Sequence, residues 1–342
     1  MFDVDGKKIN TNNLYFQPTA TNIQVSETTP GNLTMRLSYS NDQYIDYIYT
    51  LNAESYQVGF TIATRGMEQV ISPNTRYLTL NWETALKQKE KDIQSEQRYS
   101  SAYFKQGDKN VDHLSVSKDD KKDLEEHVQW ISFKQHFFSN VLIAKNHFSK
   151  GVLTVNTSAD PHMVKTFSAQ MQMPFSKTES NTYPMEFYFG PNKFSTLKAQ
   201  GYGLEKQVDM GYWPLKYINR YAVLPIFNLL EGFNWNYGLI ILSLTILLKV
   251  VLFPLTYKSY LSMAKMRVLK PEMDQIKAKV GEDNPTLVQQ EYLKLYKQAG
   301  VNPLGGCLPL LLQLPIIMAF FFFFPNLFEL RQESFLWMKD LS

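Results

Sequence analysis

The chain has 342 residues and a formal net charge of +3, so it is long enough for two ordinary domains or for one domain with membrane segments. So small a charge, without a dense basic run, argues against nucleic-acid binding. The single cysteine, Cys307, excludes an internal disulfide and lies in an apolar run, which favours a packing role. Because the histidines, among them His136 and His147, lack close metal-ligand spacing and no phosphate-binding loop occurs, neither a metal nor a cofactor is expected.

The first 200 residues carry the signals of short β-strands. Residues 47–51 and 56–62 alternate on either side of a polar turn, which predicts a hairpin. Further β-rich runs lie at 76–82, 128–133, 140–144 and 152–156. The polar stretches 84–97 and 105–127 are predicted to be mobile loops. Many short strands with few helices predict an antiparallel β-sandwich over residues 1–211.

Residues 212–233 are rich in aromatic residues and leucine, interrupted by Lys216 and Arg220. This pattern is typical of an amphipathic helix in the membrane interface, where aromatic rings prefer to lie. A helix packed on the sandwich is the alternative.

Two apolar runs are long enough to cross a bilayer. Residues 238–255 contain one charge and residues 308–328 contain none. Roughly 20 apolar residues span the hydrocarbon core, so transmembrane helices are predicted at 236–257 and 304–328. Proline is tolerated in such helices, and the second run contains Pro309, Pro315 and Pro325.

The segment between the spans, 258–303, carries eight Lys/Arg and five acidic side chains. Short basic loops lie in the cytoplasm, so the neutral β-domain and the tail 329–342 are expected outside. Residues recurring at intervals of three and four predict a helical hairpin, with a bend at Pro271 and a turn at 281–284. The first stripe is Met263, Met266, Leu269, Met273, Ile276 and Val280, and the facing one is Val288, Tyr292, Leu295 and Ala299. The methionines suit hairpin packing or, alternatively, an adaptable surface for apolar partners.

Lys249 is the one charge in the first span. In a continuous helix it shares a narrow face with Gly238, Thr245, Leu252 and Thr256. Polar residues in a span normally face protein or a water-filled cavity and are functional candidates. Two interpretations stay open from the residues alone: the lysine snorkels towards the cytoplasm, or it lines a wet groove that attracts anionic groups.

At these residues the chain resembles a known family, the YidC membrane-protein insertases of Gram-negative bacteria. The resemblance covers roughly 212–342 and rests on the runs "NWNYGLIILSLTILLKVVLFPLT", "SMAKMRVLKPEMDQIKAKVGED", "YKQAGVNPLGGCLPLLLQLPI" and "ELRQESFLWMKDLS". The β-rich region stands where that family has its large periplasmic domain.

The resemblance implies a hydrophilic groove, open to the cytosol, with a single positive charge. Lys249 matches the charged position, which is commonly arginine in the family; lysine keeps the charge but loses the forked donor geometry. Thr245 matches a substrate-contact position, and Gly238 and Thr256 complete the predicted groove. The hydrophobic slide along which an incoming helix moves would be Leu314, Pro315 and Ile317. The hairpin at 258–300 matches the cytoplasmic loop needed for insertion, with Met263, Met266, Met273 and Tyr292 as its candidate contact residues.

The function implied is insertion of nascent transmembrane segments into the inner membrane, without chemical catalysis or ATP. An acidic tail would enter the groove while its apolar helix slides into lipid. The partners implied are the lipid bilayer, nascent membrane proteins, the ribosome and the Sec translocon.

The chain departs from the family pattern at both ends. Typical members have an N-terminal anchor helix and three further spans, and residues 1–30 show no signal peptide, so we expect a fragment. A membrane-anchored β-sandwich that binds carbohydrate or a protein partner is the alternative function. Its cleft would use aromatics such as Trp82, Trp130 and Tyr183, although such residues more often form the core. A transporter is a third possibility, which the lack of inverted repeats argues against.

Overall fold

The computed structural model describes residues 1–20, 22–280, 285–301 and 308–342. The chain divides into two compact units, Met1–Val208 and Asp209–Ser342. The first is a β-domain and the second is helical. The predicted architecture, an antiparallel β-sandwich followed by a helical membrane region, is confirmed. The predicted turn at 281–284, its cap Asn284 and Cys307 lie outside the described residues.

The β-domain contains thirteen described strands and two short helices. The strands are β1 (Phe2–Val4), β2 (Lys7–Ile9), β3 (Gln17–Pro18), β4 (Gly31–Ser38), β5 (Tyr44–Leu51), β6 (Gln57–Arg65), β7 (Tyr77–Lys87), β8 (Ser101–Gln106), β9 (Asp112–His113), β10 (Asp120–Lys134), β11 (Phe138–Thr157), β12 (Met163–Pro174) and β13 (Ser180–Pro191). The helices are α1 (Ile93–Arg98) and α2 (Phe194–Ala199).

The long strand β11 is the strand at which the sheet branches. Its first part, Phe138–Ala144, pairs with β13, and its second part, Lys150–Thr157, pairs with β12. Eleven strands form one connected sheet: its main path has the order β3-β4-β5-β6-β13-β11-β10-β8-β9, and β12 and then β7 branch from β11. All pairings are antiparallel, and β5–β6 is the predicted hairpin. The predicted strands 140–144 and 152–156 are therefore two parts of one strand.

The core of the β-domain follows the two-residue period of its strands. Buried and partly exposed residues alternate along β12, for example, because successive side chains point to opposite faces. Trp130 is fully buried, and its indole N–H donates to the Tyr202 carbonyl at 3.0 Å. The Trp82 ring lies 4.3 Å from that of Phe133 and also borders a cavity of about 170 Å³ between the layers.

Two predicted loops are wrong in part. Residues 84–87 belong to β7, and α1 lies within the rest of 84–97. Its Glu96 is only 1% exposed because the carboxylate accepts hydrogen bonds from the Lys89 and Glu90 backbone N–H groups and from the Gln135 side chain. In the stretch 105–127, β9 and the start of β10 form, since pairing with β11 satisfies a polar strand as well as an apolar one.

The helical unit begins with one nearly continuous helical segment. Its parts are α3 (Leu215–Ile218), a π-helical turn (Asn219–Val223) and α4 (Leu224–Glu231). The inner face is buried at Leu215, Asn219, Val223 and Phe227. The outer face exposes Tyr217 and Tyr221, whose rings stack 6.1 Å apart. A helix with aromatic residues on its exposed side suits the membrane interface.

The first predicted span is part of a longer helix. α5 runs without interruption over Tyr237–Val268, with Pro254 inside it. Residues 237–254 are long and apolar enough to cross a membrane. The helix passes the predicted boundary at 257 because hydropathy marks where lipid ends, whereas good helix formers continue through the basic segment.

The second span and the hairpin complete the unit. The helices are α6 (Lys270–Val280), α7 (Pro285–Gln298) and α8 (Leu308–Phe323), the last followed by 3₁₀ turns at Phe324–Asn326 and Phe328–Leu330. α8 ends near the beginning of α5: the Phe227 ring lies 6.1 Å from Tyr237 and 5.8 Å from Phe323. The two helices therefore run in opposite directions.

Candidate functional site

Four residues of α5 form what we call the polar line: Gly238, Thr245, Lys249 and Thr256. The buried residues Ile240, Leu244 and Leu252 define the packed face of the helix. At 100° per residue the polar line runs along one edge of this face, and the strongly exposed Ile246, Val250 and Phe253 lie beyond it. The polar line thus separates the packed face from the exposed apolar face.

The two threonine hydroxyls are satisfied within the helix. Thr245 Oγ1 donates to the Ile241 carbonyl at 2.8 Å, and Thr256 Oγ1 donates to Phe253 at 2.9 Å and Leu252 at 3.1 Å. Backbone bonding of this kind lets a hydroxyl enter a span at little cost. The lone pairs of each hydroxyl remain able to accept a hydrogen bond.

Lys249 is exposed on α5 and forms no ion pair with any residue in the described part of the chain. It follows the N-cap Asn236 by 13 residues and precedes Pro254 by five. By helical rise these separations are about 20 Å and about 7.5 Å. The charge therefore lies in the C-terminal third of the apolar segment, where an unpaired cation is costly unless water or an anion reaches it.

Gly238 lies at the other end of the polar line in different surroundings. It is buried beneath the Phe335 ring, which approaches so closely that even a methyl group on Gly238 would overlap it. The Asn236 side chain caps the helix by accepting from the Gly238 N–H at 2.9 Å and donates to the Ser334 carbonyl at 3.0 Å. Gly238 shares the angular position of Lys249 but makes a tight protein contact.

The predicted slide residues lie on α8. Leu314 and Ile317 are 53% and 49% exposed, and Pro315, inside the helix, is half-buried. Leu311 and Phe321 extend the same side at helical spacing, so Leu311, Leu314, Ile317 and Phe321 form a continuous exposed surface, here called the α8 apolar stripe. On the other side of α8, Ala319 and Phe323 are buried.

Most of the residues predicted for the two hairpin stripes are half-buried, and Met263 and Met266 among them belong to the end of α5. Along residues 263–280 the half-buried positions are Met263, Met266, Leu269, Met273, Ile276 and Val280. On α7, Val288, Tyr292 and Leu295 are half-buried, whereas Ala299 is exposed. The Tyr296 hydroxyl lies 3.3 Å from the Met273 sulfur, which joins the two arms. The chain leaves helical continuity at Leu269, two residues before Pro271.

Sequence reasoning missed the role of Asn219. Its side chain is fully buried, and Nδ2 donates to the Met210 carbonyl at 3.0 Å and to the Ala319 carbonyl of α8 at 2.7 Å. Oδ1 is buried without a hydrogen-bond partner among the described residues. An asparagine within a run of aromatic and aliphatic residues was the available signal, since a buried amide needs partners.

Comparison with known families agrees with this division of the chain. Residues 2–223 match the family described as YidC periplasmic domain, and residues 229–342 match the family described as 60Kd inner membrane protein. The β-domain therefore lies in the periplasm, and the helical unit in the inner membrane.

Curated relatives named membrane protein insertase YidC match nearly the whole chain. The protein of Parabacteroides distasonis is 40% identical over 98% of this chain and 53% of its own length. That of Phocaeicola vulgatus is 41% identical over 100% and 56%, and that of Bacteroides fragilis is 42% identical over 92% and 52%. The chain thus spans about half the length of these relatives.

Among solved structures, the alpha-galactosidase from Lactobacillus brevis aligns with 57% of this chain and 28% of its own, at 6% identity and a TM-score of 0.33. So weak a likeness carries no argument. The family matches cover both units, the periplasmic β-domain and the helical unit whose apolar helix contains one lysine. The chain belongs to the YidC family.

Proposed function

We propose that this protein is a membrane-protein insertase that transfers nascent transmembrane segments from the cytoplasm into the inner membrane. The observation that carries the proposal is Lys249, an exposed cation inside a helix that is otherwise apolar enough to span a membrane. The name of the curated relatives supports the same activity. The process requires no bond breaking, so the residues act by solvation and attraction.

In this proposal the polar line forms one wall of a groove that is wet on its cytoplasmic side. Lys249 attracts the acidic tail of a nascent segment, and the Thr245 and Thr256 hydroxyls accept hydrogen bonds from its backbone. Each contact replaces part of the hydration that the tail loses on leaving the cytoplasm. Gly238, beneath Phe335, closes the opposite end of the line.

The apolar part of the substrate would leave along α8. Leu314 and Ile317 belong to the α8 apolar stripe, which presents side chains without polar atoms. An incoming helix can move along such a surface because it exchanges lipid contacts for similar dispersion contacts at nearly constant energy. Pro315 interrupts the hydrogen bonding of α8 and gives this surface a local irregularity.

The cytoplasmic hairpin would receive the substrate before the groove does. Met273 lies at the seam between α6 and α7, Met263 and Met266 are half-buried near the end of α5, and Tyr292 is half-buried on α7. Methionine side chains adapt to different apolar partners, so opening the seam would expose a surface suited to varied segments. We infer that the ribosome delivers the chain at this side and that the Sec translocon is a second partner.

Site-specific crosslinking tests the proposal. A photoreactive residue replaces Thr245 or Ile317 in the full-length protein, and a ribosome-bound nascent chain with one apolar segment is added. Adducts at both positions are expected, and they should shift from Thr245 to Ile317 as the nascent chain lengthens. Ala319, buried on the other side of α8, is the matched control and should give none. Absence of adducts at Thr245 and Ile317 would remove the support for this function.

A further inference from the structure

The segment after α8 ends in a tight turn with large apolar residues at its tip. Phe335 and Met338 form an antiparallel bridge with two backbone hydrogen bonds of 3.0 Å. Leu336 and Trp337 occupy the two central positions and are 73% and 82% exposed. Leu336 adopts a φ of +54°. Glycine, asparagine and aspartate favour such positions, so a leucine there is a strained choice.

The turn is fixed to the helical unit and does not hang free. Phe335 covers Gly238, and the Ser334 carbonyl accepts from the Asn236 side chain at 3.0 Å. On its far side the Asp340 carboxylate accepts from the Gln332 N–H at 3.0 Å. These contacts hold the turn directly against the first residues of α5.

This location defines the surroundings of the tip. Asn236 caps the apolar segment 237–254, so the turn lies where that segment enters the extracytoplasmic side of the bilayer. Trp235, immediately before the cap, is also exposed. Tryptophan favours the boundary between headgroups and acyl chains, where its ring is buried and its N–H stays wet. If Leu336 and Trp337 were exposed to water instead, no favourable contact would offset the backbone strain at Leu336 or the exposed apolar surface of the two side chains.

We propose that the Phe335–Met338 turn inserts Leu336 and Trp337 into the extracytoplasmic leaflet of the lipid bilayer. Phe335 transmits this attachment to Gly238, so the turn fixes the depth of α5 and with it the level of Lys249 in the membrane. The same insertion would set Lys339, which is exposed next to the tip, at the height of the lipid phosphates. This placement follows from the periplasmic location of the β-domain, and the turn would insert whether or not the protein acts as an insertase.

Depth-dependent quenching tests this placement. Leu336→Cys and Trp337→Cys, each in a cysteine-free full-length protein, are labelled with an environment-sensitive fluorophore and reconstituted into phosphatidylethanolamine–phosphatidylglycerol vesicles. Lipids spin-labelled near the headgroup should quench both sites at least threefold more than a label at Gln332→Cys, which is exposed on the same segment. Lipids labelled near the acyl terminus should quench them less.

A second measurement distinguishes lipid from water and from protein as the surroundings of the tip. Unlabelled Trp337→Cys is exposed to a membrane-impermeant maleimide from the extracytoplasmic side. Slow labelling together with strong lipid quenching supports the proposal. Rapid labelling without quenching shows a tip in water, and slow labelling without quenching shows a tip covered by another part of the protein; either result overturns it. Phe335→Ala should reduce quenching at residue 337 at least twofold, because the turn loses its support on Gly238.

Discussion

Charge substitution at Lys249 tests the groove most directly. A carboxylate at the cytoplasmic end of the apolar segment, level with Pro254, stands about 7.5 Å from Lys249 along the helix. With an effective dielectric constant of about 20, the attraction is about 2.2 kcal/mol. Lys249→Met should therefore slow insertion of an acidic-tailed segment by about 40-fold, and Lys249→Glu by about a thousandfold. Lys249→Arg should insert at nearly the original rate.

The assay is insertion of a single-span substrate, synthesised in vitro, into liposomes containing the full-length variant, scored by protease protection. Two substrates are compared, one with an acidic tail and one in which serine replaces every acidic residue. Lys265→Glu is the matched control, because Lys265 is exposed on α5 and lies 11 residues, about 16.5 Å, beyond Pro254, where water and salt screen its charge from the tail. Its effect should stay below about threefold, the order expected of a screened surface charge.

Two outcomes would refute the reasoning. If Lys249→Met inserts the acidic-tailed substrate at the original rate, the lysine merely snorkels and attracts nothing. If the insertion rate of the neutral-tailed substrate falls as much as that of the acidic-tailed substrate, the substitution damages the helix packing, and the loss of charge is not the cause.

Three further predictions concern the two units. The free energy of unfolding of residues 1–208 should rise by about 2 kcal/mol between pH 8 and pH 10. Burial lowers the pKa of Lys165 from 10.5 to about 8, so the unfolded chain binds more protons than the folded chain in that window. Urea titrations at pH 7.5, 8.5 and 9.5 measure this rise, and Lys165→Met should flatten it. Asn219→Ala should destabilise the helical unit by about 1–2 kcal/mol, because it removes two donated hydrogen bonds. The loss should appear as a lower Tm in detergent. Asn228→Ala, at an exposed position, is the control and should leave the Tm unchanged. Ile317→Ser should keep the Tm and reduce insertion several-fold, since the side chain is half exposed and packs against little; a lowered Tm would contradict a role confined to substrate contact.

The strands of the β-domain were predictable wherever one face is buried. The hairpin β5–β6 follows chiefly from the alternation along 56–62, because a period of two admits only one way to bury its apolar side chains. The polar start of β10 showed no such pattern. This part of β10 forms because it pairs with the second half of β11, which supplies its hydrogen bonds. The residues of β10 themselves do not indicate that pairing.

Helix α1 could not have been predicted for a related reason. Five of its six residues are polar, and isolated helices of that length are unstable in water. Asp92 caps its N-terminus, and the buried Glu96 carboxylate accepts from Gln135, which is 39 residues away in the sequence. The helix is therefore stabilised by contacts with residues far away in the sequence, and local helix propensity cannot predict such contacts.

In the helical unit, the periodicity of the sequence gave the angular position of each residue but not the atoms opposite to it. Lys249 and Gly238 share one edge of α5, as the 3.6-residue period requires. Gly238 nevertheless lies beneath Phe335, 97 residues later, while Lys249 is exposed. The same limit applies to Asn219, whose acceptor on α8 lies 100 residues away.

The position of Lys249 on that edge is what makes the proposed groove physically consistent. On the packed face of α5, beside Leu244 and Leu252, a lysine would be permanently enclosed by protein, and no substrate could reach it. On the opposite face, beside Val250, lipid would surround it and the charge would lack compensation. At the border, water from the cytoplasmic end can solvate the ammonium group between substrates, and an acidic tail can replace that water without separating packed helices. A cation that must be both tolerated and reachable is therefore confined to the edge where Lys249 lies.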